Sequence, residues 1–349
     1  MAKSVVGLDL GRRAVRAVEI ENPGRARPVI VRSHEVPLPE GAVTMGDVRE
    51  VNTVASAVRR LWSEGGFKTK DVVLGIGNQR VITRDLVMPK LPTLQHIREA
   101  LPFQVQDMLP VPVGEALLDY YPISESSTDR GQVNGILIAA IKESVLANVR
   151  AVQSAGLTPV NVDLVPFALV RANVRGPLAQ ATVVMIDVGA TTTNVVVTSQ
   201  GVPQFVRMIP GGGDDITRAV MNRLEIAPND AESFKAARGL NPAPPSSELE
   251  RAGAEAILSS THELLNSLRN TLQYYASSRP GLPPQVIALS GGGARMPGFA
   301  QALGESMRLQ VMAPSIAENF ELGRAVQKLD RAQLDGMTVA MGLATGVAA

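Results

Sequence analysis

The sequence predicts an α/β protein whose two lobes share one architecture. Val183–Val197 reads VVMIDVGATTTNVVV, in which a turn of small and hydroxyl residues joins two apolar, β-branched runs. This pattern is typical of a hairpin of two buried strands. Val5–Val18 reads VVGLDLGRRAVRAV and aligns with the first stretch without a gap, so that Asp9 matches Asp187 and the glycines two positions later also match. Because the same turn occurs in both halves, we predict two related lobes that face one ligand.

The two turns have the chemistry of a phosphate site. Backbone N–H groups and threonine hydroxyls can donate to phosphate oxygens, and the carboxylate at the strand end can hold a hydrated cation. A third stretch, Val286–Phe299 (VIALSGGGARMPGF), runs from a strand through three glycines into the start of a helix. Glycines let the backbone lie close to adenine or ribose, and a helix N-terminus lies behind them. The order of these turns resembles that of the actin, sugar kinase and Hsp70 superfamily. We therefore predict a two-lobed actin-like ATPase fold of duplicated ribonuclease-H-like units.

The composition is that of a folded protein in a reducing compartment. Of 349 residues, 45% are hydrophobic and 19% are charged, which is ordinary for soluble domains, and the length exceeds one ordinary core. The net charge of +1 and the aromatic content of 3% argue against nucleic-acid binding. Cysteine is absent, which excludes disulfides and thiol catalysis. No apolar run reaches the about 18 residues of a membrane span, and a signal-peptide layout is missing, so we expect a cytoplasmic protein.

Periodicity and turn residues define the elements of the first lobe. Arg12 and Arg13 lie in the turn of the first hairpin, where they could pair with phosphate oxygens or stand as solvated cations. Trp62, the single tryptophan, is expected to anchor the core. The predicted elements are strands over Val5–Leu10, Ala14–Ile20, Val29–Val36 and Val72–Ile76, and a helix over Asp47–Trp62.

The character of the chain changes from Ile82, where an extended segment rich in proline begins. A helix is predicted from about Leu94 to Met108, with a kink at Pro102. We interpret the segment from Ile82 as an α+β subdomain inserted into the first lobe. Its other elements, and the helix that returns to the lobe, are strands Leu117–Ile123 and Gly135–Ile141, helix Glu143–Ala155 with Gly156 as its C-cap, and helix Asp163–Val174.

The second lobe continues from its hairpin with a third strand, Val202–Ile209. A glycine run then leads into helix Ile216–Leu224 with an aspartate as N-cap. In helix Asp230–Arg238, Glu232 and Lys235 lie three positions apart on one face. They are either a solvent-facing ion pair or contacts to ribose and adenine. The remaining predicted elements are the long amphipathic helix Glu248–Ala276 and a helix of small residues, Thr338–Val347, that could pack on the first lobe.

These elements give the expected domain boundaries. The first lobe core comprises residues 1–81 with 160–180 and the C-terminal helix 338–349, and the inserted subdomain comprises 82–159. The second lobe core comprises 181–214 and 285–337, and its helical subdomain comprises 215–284.

Nearly the whole chain resembles the PilM family of actin-like type IV pilus assembly proteins. The matching stretches are GLDLGRRAVRAVEI, ALPFQVQDMLPVPVGEALLDY, SAGLTPVNVDLVPFALVRA, IDVGATTTNVVV, GGGDDITRAV, LSGGGARMPGF and MTVAMGLATG. The second and third stretches are not generic to the superfamily, because they resemble the ends of the inserted subdomain that PilM shares with the cell-division protein FtsA. Family members generally carry small hydroxyl residues where this chain has Arg12 and Arg13, so its phosphate contacts can differ there.

The resemblance implies a cytoplasmic protein that binds ATP with Mg²⁺ between its lobes and holds the short cytoplasmic N-terminal tail of PilN. Through that tail it would join the other platform proteins of the pilus at the inner membrane, with no nucleic-acid partner and no membrane contact of its own; self-association is left open. Asp9 and Asp187 would hold Mg²⁺ through water. The implied nucleotide contacts are Asp9, Gly11, Arg12 and Arg13 at the first phosphate turn, Asp187, Gly189, Ala190, Thr191 and Thr192 at the second, and Gly212, Gly213, Asp214, Glu232, Lys235, Gly291, Gly292, Gly293 and Ala294 on the nucleoside side.

Three interpretations stay open at the level of sequence. The first is a nucleotide-dependent scaffold, in which ATP sets the angle between the lobes and so the peptide groove beside the inserted subdomain. No residue is an obvious positioner of attacking water, so hydrolysis is expected to be slow or absent. The second is an FtsA-like division protein, which normally carries a C-terminal amphipathic helix, whereas this chain ends GLATGVAA. The third is a small-molecule kinase, for which the inserted stretch offers no polar cluster.

A P-loop, a complete HExxH and a GxSxG elbow are all missing from the sequence.

Overall fold

The computed structural model describes residues 4–126 and 129–346, and the chain divides into two units. The first unit contains the chain up to Arg175, Val202–Val206 and the chain from Ile316 onward; the second contains Gly176–Gly201 and Arg207–Ser315.

The strands are β1 (Ser4–Leu10), β2 (Ala14–Glu21), β3 (Val29–Pro37), β4 (Val43–Thr44), β5 (Asp47–Val48), β6 (Asp71–Ile76), β7 (Val81–Pro89), β8 (Ala116–Glu125), β9 (Gln132–Ile141), β10 (Thr158–Leu164), β11 (Thr182–Val188), β12 (Thr192–Ser199), β13 (Val202–Pro210), β14 (Val286–Ser290), β15 (Gln310–Met312) and β16 (Glu321–Leu322). The helices are α1 (Val51–Gly65), α2 (Leu94–Gln104), α3 (Lys142–Ser154), α4 (Val165–Asn173), α5 (Gly213–Leu224), α6 (Pro228–Arg238), α7 (Glu248–Ser278), α8 (Phe299–Met307), α9 (Ile316–Asn319), α10 (Arg331–Gly336) and α11 (Thr338–Thr345).

The first unit is built on a six-stranded sheet in the order β10-β6-β1-β2-β3-β16. The pairs β1/β2 and β2/β3 are antiparallel, whereas β6 and β10 are added in parallel on the other side of β1. Helices cover both faces of the sheet, which explains why β1 reads as a nearly continuous apolar run. One face packs on α1 and α3, and the other packs on α4 and α11.

The C-terminal helix α11 lies directly on β1. A Cβ atom on Gly7 would lie 2.0 Å from the carbonyl oxygen of Ala340, and one on Gly342 would lie 1.8 Å from the carbonyl oxygen of Ala168 in α4. Glycine at both positions lets the backbones touch. The predicted packing of this helix on the first unit is therefore present in the described residues, while Val347, the last residue of the predicted helix, lies outside them.

The inserted segment forms its own antiparallel sheet in the order β7-β9-β8. Helix α2 packs on one face of this sheet through a small apolar core. The hydroxyl of Tyr120 on β8 lies 2.7 Å from the carbonyl oxygen of Val133 on β9 and 3.3 Å from that of Leu86 on β7. Gly135 leaves room for the ring, because a Cβ atom there would lie 2.4 Å from Cζ of Tyr120. One buried side chain thus links all three strands.

The second unit repeats the sheet of the first. The sheet follows the order β13-β12-β11-β14-β15, which corresponds to β3-β2-β1-β6-β10, and β13 belongs to this unit from Arg207 onward. The pair β11/β12 is antiparallel, and β14 and β15 are added in parallel. The register places Asp9 opposite Arg16 in one hairpin and Asp187 opposite Asn194 in the other. The gap-free alignment of the two sequence stretches therefore reflects a duplicated unit, as predicted.

Several predicted boundaries differ from the structure. Asp47 and Val48 form a strand instead of the first helical turn, because Met45 and Gly46 adopt positive φ values of 51° and 78° and form a two-residue hairpin turn between β4 and β5. The helix predicted to reach Met108 ends at Gln104 and is followed by a 3₁₀ turn over Gln106–Met108.

Strand β10 was not predicted. Its sequence TPVNVDL contains proline and asparagine, and it forms an edge of the first sheet with a register shift between Pro159 and Asn161. Edge strands tolerate proline and polar residues, so the pattern of a buried strand is missing. Because β10 pairs with β6 and β16 pairs with β3, residues 158–159 and 321–322 belong to the first sheet, in contrast to the boundaries expected from sequence.

The described residues contain no helix that combines the length and the apolar character needed to cross a membrane.

Candidate functional site

The second of the two turns that the sequence predicts to bind phosphate lies between β11 and β12. The Gly189 N–H donates to the carbonyl oxygen of Thr192 at 3.0 Å, which closes the turn. Asp187, at the end of β11, is 8% exposed, and its Oδ1 accepts a hydrogen bond of 2.7 Å from the hydroxyl of Ser290. Ser290 ends β14, and the parallel pairing of β14 with β11 places it opposite Asp187. Sheet pairing therefore sets a hydroxyl donor beside the carboxylate.

The start of α5 packs on this turn through its backbone. The N–H groups of Gly213 and Asp214 donate to the carbonyl oxygens of Gly189 and Ala190, both at 2.9 Å. These N–H groups belong to the first turn of the helix, whose donors have no partner within the helix. Here both N–H groups donate to carbonyl oxygens of the turn, so the start of α5 fixes the conformation of the turn.

The N-cap of α5 is Gly212, so the prediction of an aspartate at this position was wrong. A Cβ atom on Gly212 would lie 2.4 Å from the carbonyl oxygen of Gly189, which leaves no room for a side chain. The carboxylate of Asp215, at the third position of the helix, caps it instead, because its Oδ2 accepts a hydrogen bond of 2.8 Å from the Gly212 N–H. Asp214 is buried in the same helical turn.

The glycines that follow β14 have two different roles. Gly291 has a φ of +96°, and a Cβ atom there would lie 2.3 Å from the carbonyl oxygen of Val188; one on Gly293 would lie 2.7 Å from Cγ1 of Val188. Gly292 has φ −64° and ψ −37°, and apart from Gly292 and its two chain neighbours no heavy atom of the described chain lies within 4 Å of its Cβ position. Ala294 follows in a 3₁₀ turn. Two of the three glycines thus pack loops together, and Gly292 alone faces open space.

Lys235 of α6 is buried at 6% exposure, so it is not the solvent-facing lysine of the simpler interpretation. Its Nζ donates to the carbonyl oxygen of Gly213 at 3.0 Å, to the hydroxyl of Thr217 at 2.7 Å and to Oε2 of Glu232 at 2.9 Å. The Thr217 hydroxyl also lies 2.6 Å from Oε2 of Glu232. The Glu232 side chain is 35% exposed, and it carries the outer, accessible end of this network.

In the first unit, the equivalent carboxylate faces a cation. Asp9 lies opposite Arg16 on β2, and Arg16 lies opposite Glu35 on β3. Oδ2 of Asp9 is 3.8 Å from Nη1 of Arg16, and Nε of Arg16 donates to Oε2 of Glu35. The Arg16 Nη1 atom lies 3.1 Å from the position that a Cβ on Gly11 would take. The arginine therefore borders the turn at Gly11, which is the first of the two predicted phosphate turns.

The two arginines of that turn differ in their surroundings. Arg12 Nη2 lies 3.5 Å from Oε1 of Glu40, whose side chain is 87% exposed. Such a pair is weak because solvent screens it. Arg13 is exposed, and its carbonyl oxygen accepts a 2.9 Å hydrogen bond from the Leu38 N–H. Their contact with phosphate stays a prediction.

The predicted site residues thus fall into two groups. The structure brings together those of the second unit, which are Asp187, Gly189, Ala190, Thr191, Thr192, Gly212, Gly213, Asp214, Glu232, Lys235, Gly291, Gly292, Gly293 and Ala294. Those of the first unit, Asp9, Gly11, Arg12 and Arg13, lie in and beside its own hairpin turn.

Sequence reasoning missed four polar residues beside these groups. Arg16 and Asn194 are the cross-strand partners of the two aspartates, which the hairpin register would have identified. Ser290 is the last residue before the glycines, and Thr217 lies one helical turn after Gly213.

A hydrated cation fits the residues of the second hairpin. Mg²⁺ keeps most of its water and takes one or two carboxylates together with phosphate oxygens. Asp187 supplies a carboxylate, and Oδ1 of Asn194 opposite it is buried without a hydrogen-bond partner in the described chain. No cluster of three or more His, Cys, Asp or Glu side chains in residues 4–126 and 129–346 could hold a metal. Asp187 and Asn194 thus supply two oxygen acceptors for the water shell of such a cation.

The repeated strand order, the Asp-x-Gly hairpin in each unit and the glycine loop after β14 define an actin-like protein. A family model described as type IV pilus assembly protein PilM matches residues 7–348. The chain belongs to the PilM family of type IV pilus assembly proteins.

Individual proteins agree with this assignment. A solved PilM–PilN type IV pilus biogenesis complex contains a chain that is similar at 28% identity and a TM-score of 0.82, with 97% of each chain covered. MreB 5 of Spiroplasma citri bound to AMPPNP shares the fold at 12% identity and a TM-score of 0.55, with 98% of this chain and 95% of that chain covered. FtsA of Bacillus subtilis (strain 168) is 21% identical in an alignment of 254 residues, and the match covers 66% of this chain and 57% of FtsA. FtsA is therefore a distant relative, and the match spans little more than half of its length.

Proposed function

We propose that the protein is an ATP-binding scaffold of type IV pilus assembly that holds the N-terminal tail of PilN. Membership in the PilM family and the similarity to a chain of a PilM–PilN complex support the choice of partner. The observation that carries nucleotide binding is the convergence of the Asp187 turn, the start of α5 and the glycine loop, with open space at Gly292.

Each part of this cluster has a distinct role in the proposal. The turn after Asp187 contacts phosphate through backbone N–H groups and threonine hydroxyls. Asp187 and Asn194 accept hydrogen bonds from the water shell of Mg²⁺, and the cation supplies charge neutralisation when it is bound. The open face at Gly292 takes the nucleoside, with the exposed end of Glu232 as a hydrogen-bond acceptor for ribose hydroxyls.

Taken by itself, the hairpin of the first unit offers a cation for a phosphate oxygen. Arg16 borders the Gly11 turn with Nη1, and guanidinium groups bind phosphate oxygens in paired hydrogen bonds. Asp9 shares its charge with Arg16, so we assign the main cation contact to Asp187. Arg12 and Arg13 are kept as further phosphate contacts in this proposal.

Titration calorimetry with ATP, ADP and adenosine tests nucleotide binding, with each titration run in Mg²⁺ and in EDTA. We expect ATP to bind more tightly than adenosine, and EDTA to weaken the binding of ATP but not of adenosine. Equal affinity for ATP and adenosine would contradict the phosphate assignment. An absence of binding by all three would overturn the nucleotide proposal.

Co-purification with a synthetic PilN N-terminal peptide tests the partner. We expect the peptide to be retained and a scrambled peptide of the same composition not to be retained. Association with the inner membrane would then come from PilN and not from this chain. Retention of both peptides, or of neither, would contradict a specific PilN contact.

Nucleotide and peptide are expected to be coupled, because a scaffold can report its nucleotide state only through a change in partner affinity. Calorimetric titration of the PilN peptide with and without ATP and Mg²⁺ measures this coupling directly. Equal peptide affinities in the two conditions would contradict the coupling of nucleotide and peptide binding. Since no side chain has been assigned to position water, we expect hydrolysis to be slow or absent, which phosphate release over hours would check.

A further inference from the structure

We propose that Glu35 is a positioning residue for nucleotide binding, which holds the guanidinium of Arg16 at the first phosphate turn. The inference rests on the proposed function, because Glu35 itself is assigned no contact with nucleotide. Glu35 lies on β3, whereas the residues that the sequence predicted for this site lie in the hairpin of β1 and β2.

The three side chains form one row across three strands. Asp9 of β1, Arg16 of β2 and Glu35 of β3 occupy directly opposite positions in successive antiparallel pairs. Residues at opposite positions project from the same face of a sheet and lie close enough to interact. Their side chains are 18%, 23% and 45% exposed in this order, so the arginine is the partly buried centre of the row.

The two carboxylates contact different edges of the guanidinium. Glu35 Oε2 accepts a hydrogen bond from Nε, whereas Asp9 Oδ2 lies 3.8 Å from Nη1. A guanidinium is planar, so a partner at Nε fixes the direction in which the two terminal nitrogens point. The tether to Glu35 therefore directs Nη1 to the Gly11 turn, where it lies 3.1 Å from the position of a Cβ on Gly11.

The second hairpin has no arginine at the position that corresponds to Arg16. The residue that corresponds to Arg16 is Asn194, which carries no charge and leaves Oδ1 buried without a hydrogen-bond partner in the described residues. A neutral amide suits the neighbourhood of a hydrated cation, and a positioned guanidinium suits a phosphate oxygen. The duplicated hairpins have thus diverged at one cross-strand position, and only the first needs a third strand to orient its side chain.

Pre-orientation affects affinity through conformational entropy. An arginine loses rotamer freedom when it is immobilised on a ligand, and a side chain that is already held loses less. Without the tether we expect ATP affinity to fall by about 3- to 10-fold, which corresponds to the cost of ordering one long side chain. Adenosine affinity should not change, because adenosine carries no phosphate.

A double-mutant cycle on the full chain tests the inference. Calorimetry with ATP and with adenosine is carried out on the unchanged protein, Glu35→Ala, Arg16→Gln and the double variant. We expect Glu35→Ala to weaken ATP binding in the unchanged background and to have no effect in the Arg16→Gln background. Glu35→Gln, which keeps a hydrogen-bond acceptor for Nε, should recover part of the loss and serves as the test variant if Glu35→Ala does not fold. Glu21→Ala is the matched control, since it removes a carboxylate from the far end of β2.

The outcomes separate the inference from the function on which it rests. If the unchanged protein binds ATP and both Glu35 variants bind it equally well, the positioning role is overturned and nucleotide binding stands. An effect of Glu35→Ala that persists in the Arg16→Gln background, or that also weakens adenosine binding, would show a role that does not act through Arg16. Failure of the unchanged protein to bind ATP would overturn both proposals.

Discussion

The carbonyl oxygen of Val188 occupies the space that a side chain at Gly291 would need. A Cβ atom at Gly291 would lie 2.3 Å from that oxygen, and the backbone there has a φ of +96°. We therefore expect Gly291→Ala to destabilise the protein by about 2 kcal/mol or more, since strain and steric overlap add. Urea denaturation measures the change. Wild-type stability of this variant would contradict the described packing of the loop on β11.

The neighbouring glycine provides the matched control. Gly292 has helical backbone angles and open space at its Cβ position, so Gly292→Ala should keep or raise stability by up to about 1 kcal/mol. The added methyl group would nevertheless enter the space that we assign to the nucleoside. We expect affinity for both ATP and adenosine to fall by about 5-fold or more, as for an overpacked contact. Unchanged affinities would place the nucleoside elsewhere.

The Lys235 network should stabilise the junction of α5 and α6. Lys235→Ala leaves the carbonyl oxygen of Gly213 and the carboxylate of Glu232 without this donor, at an expected cost of about 1–3 kcal/mol. The cost is modest because the Glu232 carboxylate is partly exposed, so solvent screens its charge. Arg218→Ala is the control, because Arg218 and Asp215 form a surface ion pair at the same spacing of three and should contribute under about 1 kcal/mol. Equal losses in urea denaturation would contradict the special role of Lys235.

Asp187→Asn should separate cation binding from folding. The amide oxygen can still accept the hydrogen bond from Ser290, so stability should change by less than about 1 kcal/mol. The negative charge that favours a divalent cation is lost, and we expect the effect of Mg²⁺ on ATP affinity to fall by about tenfold or more. Titrations in Mg²⁺ and in EDTA measure this difference. Asp230→Asn, a change in the first turn of α6, serves as the control and should keep the full Mg²⁺ effect.

The inserted subdomain should lose stability in alkali through Tyr120. Burial raises the pKa of this phenol from its usual 10.0 to about 12, because the charged form is poorly solvated there. A folded-state pKa above the unfolded value gives stability that is complete below pH about 10 and is lost as pH rises toward about 12. We expect Tyr120→Phe to cost about 1 kcal/mol at neutral pH through the lost hydroxyl contacts, and to reduce the alkaline loss.

Urea denaturation at a series of pH values between 7 and 12 follows this dependence, and phenolate absorbance reports the titration itself. Tyr274→Phe on the exposed side of α7 is the control. An alkaline transition of the same size in Tyr120→Phe and in the control would assign the effect to other groups.

The hairpins and the order of the two phosphate turns could be predicted because they depend on local patterns. Apolar runs around an Asp-x-Gly turn indicate a buried hairpin, and the repeat of that pattern indicates a duplicated unit. Strand β10 could not be predicted in this way, because the edge of a sheet removes the apolar constraint that makes a strand recognisable.

The roles of individual site residues depended on tertiary contacts. Sequence indicated close approach at the glycines after β14, but only the structure shows that Gly291 and Gly293 approach protein backbone while Gly292 does not. Lys235 resembled a surface residue because a Glu-x-x-Lys pair is usually solvated. It is buried because α5 and its first-turn carbonyl lie against it.

The contact of Gly7 with Ala340 has a consequence for biosynthesis. The strand at the beginning of the chain is covered by a helix near its end, and the whole second unit is translated between them. Almost the whole chain must therefore leave the ribosome before α11 can pack on its face of the first sheet. Until then one face of β1 lacks the helix that covers it, and premature termination anywhere before α11 would leave part of that apolar face exposed.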